Sequence, residues 1–446
     1  MVSKQEILRR RDMRDVLTFT IDPENAKDFD DALSFTILED GNYQIGVHIA
    51  DVTHFVAIDS KEDREAYERG TSVYLVDRVL PMLPEKLCND LCSLRPGEDK
   101  LCLSVVFVMT HDARVLKYKI CRTVIRSDYR LNYSEAQDII DGKEPQKVGQ
   151  EALQQAIRAL HLLAVILRRK RMEKGALDIE QEELGFRLDK NGHPVDIFFH
   201  KPYESNHLIE EFMLLANRTV ATCVGQTGKP MVYRVHDKPD EEKLAALRRF
   251  CKRMGERVLP ETIDMMTIRA MAKAEYSTVN IGHYGLAFDY YTHFTSPIRR
   301  YPDMMVHRLV AQYVLGERGL NKGRWREDLE EACVHCSAME QEATQEERES
   351  VKDFQMLWLS DHTDEVFHGH ISNVTEYGLF VRLDSSRCEG LIPMRTICPD
   401  RYLELDEKHF TLRTKKQSFT LGDPIDVKVS RIDFDRRQID FAIVSE

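Results

Sequence analysis

The chain has 446 residues, 42% hydrophobic and 31% charged, enough for two or three globular domains with a sizeable core. No apolar run reaches the roughly 18 residues that a membrane-spanning helix needs, and the charged start, MVSKQEILRRRDMRD, lacks the apolar stretch of a signal peptide. A net charge of −12 is the wrong sign for a surface coated with nucleic-acid-binding residues, so such a partner requires the basic residues to be gathered in a groove or channel. The ten cysteines follow no disulfide framework, and a cytoplasmic, membrane-free protein is expected.

Residues 15 to about 130 are strand-rich. Within them Asp22, Asp28, Asp30 and Asp31 crowd into FTIDPENAKDFDDALSF. Thr18 to Ile21 reads as a short strand ending at Asp22, Pro23 stops it, and Ala32 to Ile37 reads as a second strand. Four carboxylates so close repel one another unless a cation sits between them. Mg²⁺, which takes hard oxygen ligands and substrate phosphates, is the natural candidate. A solvated turn is the other reading. An EF-hand is a weak alternative, since no Gly stands at the sixth position of the loop.

Farther on, Tyr74 precedes Pro81 and Pro84 on an extended segment, where an exposed ring can stack on a base; a core tyrosine is the other reading. Residues 146–174 predict a long helix ending in Arg168-Arg169-Lys170-Arg171, read as a solvated helix end. FRLDKNGHPVDIFF predicts a strand pair turning at Asn191-Gly192. Ser205 is the expected N-cap of a helix with Leu208, Phe212 and Leu215 on one stripe and Glu210 and Asn217 on another. Residues 283–310 combine tyrosines, histidines and Arg299-Arg300 near a helix start, a pattern suited to forking onto phosphate oxygens; Asp303 and His307 are spaced to pair. Cys333-x-x-Cys336 resembles half of a zinc site, but without a second half ordinary helix-face thiols are the favoured reading. A charge-rich, exposed helix over 327–354 should lead out of the first domain. Short strands at roughly ten-residue spacing after residue 362 then predict a small β-barrel.

Together TIDPENAKDFDDALS, GVHIADVTHFV, VLPMLPEKLCNDLCSLRPGEDK, HLIEEFMLLAN and HFTSPIRRYPD closely resemble the catalytic RNB domain of the ribonuclease II/ribonuclease R family, and most resemble ribonuclease R. The tail, with HGHISNVTEYGLFVRL, CEGLIP and VKVSRIDFDRRQI, is similar to the S1 motif, an OB-fold barrel. The resemblance implies an α/β (α+β) RNB domain over 1–355, a central sheet with helices around a channel, and an all-β S1 domain over 365–446. It implies a processive 3′→5′ hydrolytic exoribonuclease acting on single-stranded RNA, and on structured RNA with a 3′ overhang, to give 5′-monophosphates. A channel lined with basic residues would reconcile RNA with an acidic exterior.

Carried over position by position, Asp22, Asp28, Asp30 and Asp31 match the metal-site aspartates for one or two Mg²⁺ (or Mn²⁺) ions. Asp30, Asp31 and Arg299 are the expected catalytic set. Two cations about 3.5–4 Å apart would activate water and stabilise the leaving 3′ oxygen, with Arg299 offsetting charge on the phosphate. Tyr74 and Tyr133 match channel aromatics, and Glu210 matches a ribose contact that would favour RNA through its 2′-OH. Arg300, and in the barrel Phe380, Lys428 and Arg431, complete the expected RNA-binding set.

The chain departs from the family where Ile179 stands in place of a stacking phenylalanine, and EGLIPM lacks a histidine common in the barrel. Family members usually carry cold-shock barrels first. With the aspartate motif starting at residue 20, the chain is expected to be a truncated form of a longer protein, a natural short form being the other reading; a monomer is expected. Without those barrels, structured RNA should enter more readily. Two alternatives are carried: a non-catalytic RNA binder on the same fold, disfavoured by four repelling carboxylates, and a small-nucleotide phosphodiesterase, disfavoured by the barrel.

Overall fold

A computed structural model describes residues 3–143, 151–177, 182–242, 245, 249, 271–317, 328–397, 404–406, 410–413 and 417–444. Its centre is a seven-stranded sheet in the spatial order Arg11–Asp12, Val115–Arg126, Asp99–Met109, Tyr43–Ala50, Asp31–Ile37, Thr18–Asp22, Tyr129–Asn132. The two outermost pairings are parallel and the four inner ones antiparallel. Asp99–Met109 is apolar almost throughout, as a strand covered on both faces must be. Leu33, Val47, Val105 and Phe107 of the sheet join Phe212, Leu215, Met304 and Leu309 of the helices Glu204–Gly225 and Tyr301–Tyr313 in one core.

One polar row crosses this core. His48 is fully buried, with Nε2 on Ser34 Oγ and Nδ1 on Ser104 Oγ, both at 2.8 Å, and Ser104 Oγ lies 2.7 Å from Thr123 Oγ1. Both ring nitrogens are satisfied, and burial pushes the imidazole down to about 3, so it packs as a neutral group.

The two strands that carry the aspartates pair only at Thr18–Ser34 and Phe19–Leu33 and then part. On its other edge the first of them ladders on to its end, with Phe19, Thr20, Ile21 and Asp22 opposite Tyr129, Arg130, Leu131 and Asn132. Continued in register, the ladder would set Asp22 opposite Asp30, and facing like charges destabilise a strand pair. The wedge left open between the strands is where the aspartates gather. Asp22 closes its strand and Asp31 opens the next, so both belong to strands; Asp28 and Asp30 belong to the connection.

The helix over Leu329–Ser360 was expected to be exposed. It instead buries Ala332, Cys333, Cys336 and Ala343 along one face, and its last turn places Met356 and Leu359 in the second core. The expected domain boundary at 355–365 thus falls at the end of a continuous helix. The Cys333 and Cys336 thiols are buried, and burial raises both; His335 Nε2 lies 2.8 Å from the Tyr67 carbonyl. These are packed thiols, as the zinc half-site pattern alone did not distinguish.

Beyond the helix, strands Phe367–Thr375, Gly378–Leu383, Glu389–Pro393, Gln438–Ile443 and Pro424–Asp433 close a five-stranded barrel in that order. Leu379, Val381, Leu383, Ile392, Val427 and Phe441 fill it. Gly378 has φ +146°, and a side chain there would run into the Ile392 carbonyl, so the turn into the second strand requires glycine. Arg437 ties the barrel back to the long helix through Asp353 at 2.8 Å and through Glu349.

Candidate active site

The aspartate wedge is completed from far along the chain. The turn that precedes the Tyr301–Tyr313 helix brings the Ile298 N–H to Asp30 Oδ1 at 2.8 Å and Arg299 Nε to within 3.8 Å of Asp30 Oδ2. Asp303 accepts the Ser296 N–H at 2.7 Å and Arg300 Nη2 at 2.8 Å. Asn217 Oδ1 accepts the Phe294 N–H at 2.9 Å, and His307 Nε2 lies 2.8 Å from the Phe294 carbonyl. Three buried side chains therefore pin residues 294–300 from behind. Asp303 and His307, expected to pair with each other, both turn to this segment because its buried backbone groups have stronger claims on them.

Burial raises the pKa of all four aspartates. For Asp22, Asp28 and Asp30 add to the effect and Arg130 relieves it. Arg299 relieves Asp28, Asp30 and Asp31 alike, while Asp22 adds to the rise at Asp31. Asp22 Oδ2 is buried without a hydrogen bond. An orphaned carboxylate oxygen among desolvated, mutually repelling carboxylates fits a hard divalent cation, the ligand that removes all three penalties. Among the described residues, no three His, Cys, Asp or Glu side chains already stand as a finished ligand cage.

The two neighbouring arginines differ in role. Arg299 keeps 41% of its side chain exposed, braced by Nη2 on Ser296 Oγ at 3.0 Å. Arg300 is the N-cap residue of the Tyr301–Tyr313 helix; its side chain is 15% exposed and is held by Asp303. Arg300, expected to contact RNA, sets its guanidinium on Asp303, beneath the turn that presents Arg299.

A cavity of about 1390 Å³ is lined among others by Tyr74, Tyr133, Arg168, Arg171, Glu210 and Arg348, and it neighbours the cluster through Tyr74, within electrostatic reach of Asp28 and Asp30, and Tyr133, within reach of Asp22 and Asp31. Tyr74 is 41% exposed, and its N–H donates to Glu347 Oε1 at 2.9 Å. Tyr133 opens the Tyr133–Ile140 helix behind a capping box of Asn132 and Glu135. Ser205, expected as a helix cap, is instead buried inside the Glu204–Gly225 helix, where its hydroxyl donates to the Tyr133 carbonyl at 2.7 Å. Partial desolvation works against the Glu210 carboxylate, but His207 and Arg171 hold its pKa below the usual value. Asn217, expected to share Glu210's face, is committed to the 291–294 segment.

The basic run 168–171 is only half solvated. Lys170 and Arg169 are exposed, whereas Arg171 is buried against Glu211 at 2.5 Å and Arg168 lines the cavity. The i, i+3 spacing of Arg168 and Arg171, in phase with the buried Leu160 and Leu163 face, was the available signal. Ile179 lies outside the described residues. In the barrel, Phe380 is half-buried and Lys428 and Arg431 are exposed on the outer surface; Arg431 Nη2 lies 2.6 Å from Asp433 Oδ2.

The chain matches known families and folds along most of its length. An RNB domain model matches residues 10–316 and an S1 RNA binding domain model matches 360–444. Ribonuclease R of Thermotoga maritima is 40% identical and that of Aquifex aeolicus 38% identical, each over the whole of this chain, which spans 66% of each relative's length. The solved structure of Mycoplasma genitalium RNase R in complex with ribose methylated single-stranded RNA superposes with a TM-score of 0.93 at 27% identity, covering all of this chain and 73% of that one.

Proposed function

Because this chain belongs to the RNB-domain family, we propose that it is a 3′→5′ exoribonuclease that hydrolyses single-stranded RNA to 5′-monophosphates. The observation that carries the reading is the meeting of Asp30 with Ile298 and Arg299. A buried carboxylate cluster is set beside a half-exposed guanidinium at the foot of a cavity large enough for several nucleotides.

Asp22, Asp28, Asp30 and Asp31 would hold one or two divalent cations, Mg²⁺ or Mn²⁺. Held there, a divalent cation supplies Lewis-acid charge for phosphodiester hydrolysis. Arg299 forks onto the scissile phosphate and answers the charge that develops on its oxygens. Tyr74 and Tyr133 offer faces on which terminal bases stack. Glu210, ionised and partly exposed in the cavity, accepts a hydrogen bond from a ribose 2′-OH, which DNA cannot offer. The outer face of the barrel, with Phe380, Lys428 and Arg431, takes the incoming strand. The cavity's Arg168, Arg171 and Arg348 stand among Glu182, Glu183, Glu210 and Glu347, so its lining is mixed in charge and not the basic channel that the resemblance implied.

The test uses end-labelled single-stranded RNA and DNA, with Mg²⁺ or EDTA, beside an Asp30→Asn variant. Stepwise shortening of RNA alone from its 3′ end, abolished by EDTA and by the variant, is expected. RNA that stays intact yet is retained in a gel shift would favour the binding-only reading; cleavage of small nucleotides with RNA left whole would favour the small-nucleotide phosphodiesterase.

A further inference from the structure

Two cavities meet at Tyr133. The larger is the one already described. The smaller, of about 640 Å³, is lined by Pro23, Tyr133, Phe198, His200, Tyr203 and Asn206 among others. Tyr133, Glu183, Leu184 and Asn206 belong to both. Tyr133 lies within electrostatic reach of Asp22 and Asp31, and Pro23 directly follows Asp22, so the smaller cavity neighbours the aspartate cluster at its Asp22 end.

Its lining has a definite chemistry. His200 and Tyr203 meet edge to face with ring centres 4.8 Å apart. Phe198 is 44% exposed and pairs across its hairpin with Gly185, where any side chain would run into the phenylalanine ring. Glycine thus lets the ring lie over the neighbouring strand with one face open. Rings on several sides, with Asn206 also in the lining and its Oδ1 held by the Tyr203 N–H at 2.9 Å, suit a nucleobase, which stacks on aromatic faces without regard to sequence. The volume falls within the ~300–1,000 Å³ of small-molecule sites. Glu24 and Glu183, also in the lining, set like charge against a phosphate monoester. The base is received while the phosphate is not retained, a combination suited to passage rather than storage.

We propose that this second cavity is the route by which each cleaved mononucleotide leaves the site. The inference rests on the exoribonuclease reading. A strand drawn in by its 3′ end and held between cuts fills the path it entered by, so a separate opening beside the aspartates is needed for the product.

Ser134 is an exposed lining position, and Ser134→Trp plugs the cavity. In rapid-quench experiments with single-stranded RNA, the first cut by Ser134→Trp should stay within about twofold of wild type, while steady-state release at saturating RNA falls about tenfold, exit having become the slow step. The preserved first cut also reports that the variant is folded. Phe198→Ala should keep the first-cut rate and raise the inhibition constant of added 5′-AMP about tenfold, through loss of one stacking face. Unchanged steady-state release in Ser134→Trp, or 5′-AMP inhibition unaltered in Phe198→Ala, overturns the proposal. A first cut slowed as much as release overturns it too, because the plug would then act on the chemistry. Wild-type protein that makes no first cut overturns the exoribonuclease reading itself, a result distinct from the others.

Discussion

Ile298 donates its backbone N–H to Asp30 Oδ1 at 2.8 Å, joining positions 268 residues apart. That bond and Arg299 are what the fold provides against the cost of burying Asp30 among three other carboxylates; the pKa of Asp30 still stands well above the usual carboxylate range, because burial dominates. The cluster is therefore a place where a cation stabilises the folded state. Saturating Mg²⁺, at about 100 times its Kd, should add about 2.7 kcal/mol, read as a rise in melting temperature by calorimetry. EDTA should reverse it. In EDTA, Asp30→Asn should melt no lower than wild type, since one repelling charge is gone, and Mg²⁺ should then shift it little. A full Mg²⁺ shift in the variant would show that the cation binds elsewhere.

Arg299 and Arg300 should give opposite phenotypes although they are neighbours. Arg299→Ala removes a half-exposed side chain that lies 3.8 Å from Asp30 and should cost about 1 kcal/mol of stability or less, while kcat on RNA falls about 10²–10³-fold, as when a preorganised donor to developing charge is lost. Arg300→Ala strands the fully buried Asp303 and should lower unfolding free energy by about 3–5 kcal/mol in urea titrations. Equal losses of stability in the two variants would remove the distinction drawn from their orientation.

Much of this arrangement is legible in the sequence, and what is not has a physical reason. Alternating apolar residues mark the strands, four close aspartates mark the wedge, and Arg299 is marked by its motif. Nothing in the order of letters separates Arg299 from Arg300. The difference arises because Arg300 takes the extended N-cap conformation and points back to Asp303 at the third position of the next helix. Arg171 reads as one more basic residue at a helix end, and only the approach of the Glu204–Gly225 helix, bringing Glu211, buries it. Asn217 serves the site by holding Phe294, 77 positions away, a contact that helical periodicity cannot report. Local pattern reveals which faces are apolar, whereas the partner of a buried polar group is decided by tertiary approach.

Asp51 illustrates the same limit and carries a pH signature. It is fully buried between Arg10, whose Nη1 is 2.7 Å away, and Arg122. Burial alone would raise its carboxyl; the two guanidiniums reverse that and hold it below the usual range. A depressed folded pKa gives stability that is present above the unfolded value, about pH 4, and lost as pH falls toward the folded value. Asp51→Asn should therefore be less stable than wild type by about 3–5 kcal/mol at pH 7, with a gap that is flat down to about pH 5 and narrows below pH 4. Denaturant titrations across that range measure it; a gap that widens on acidification would contradict the ion-pair account.

The barrel's part in holding RNA can be separated into charge and stacking. Phe380 pairs with Leu391, Leu391 with Asp440 and Asp440 with Arg431, so Phe380 and Arg431 lie on one row across the outer face, with Lys428 farther along the same strand as Arg431. Each phosphate neutralised on a single strand contributes about 0.7 to the slope of log K against log salt. Lys428→Ala should lower the steepness of that slope by about 0.7, measured by fluorescence anisotropy of labelled single-stranded RNA in EDTA. Arg431→Ala should lower it by less, because Asp433, 2.6 Å away, already offsets its charge. Phe380→Ala should weaken binding by about 1–3 kcal/mol and leave the slope unchanged, since a stacked ring displaces no counterions. Wild-type slope and affinity in all three variants would take this face of the barrel out of the strand's path and leave RNA retention to the cavity beside the aspartates.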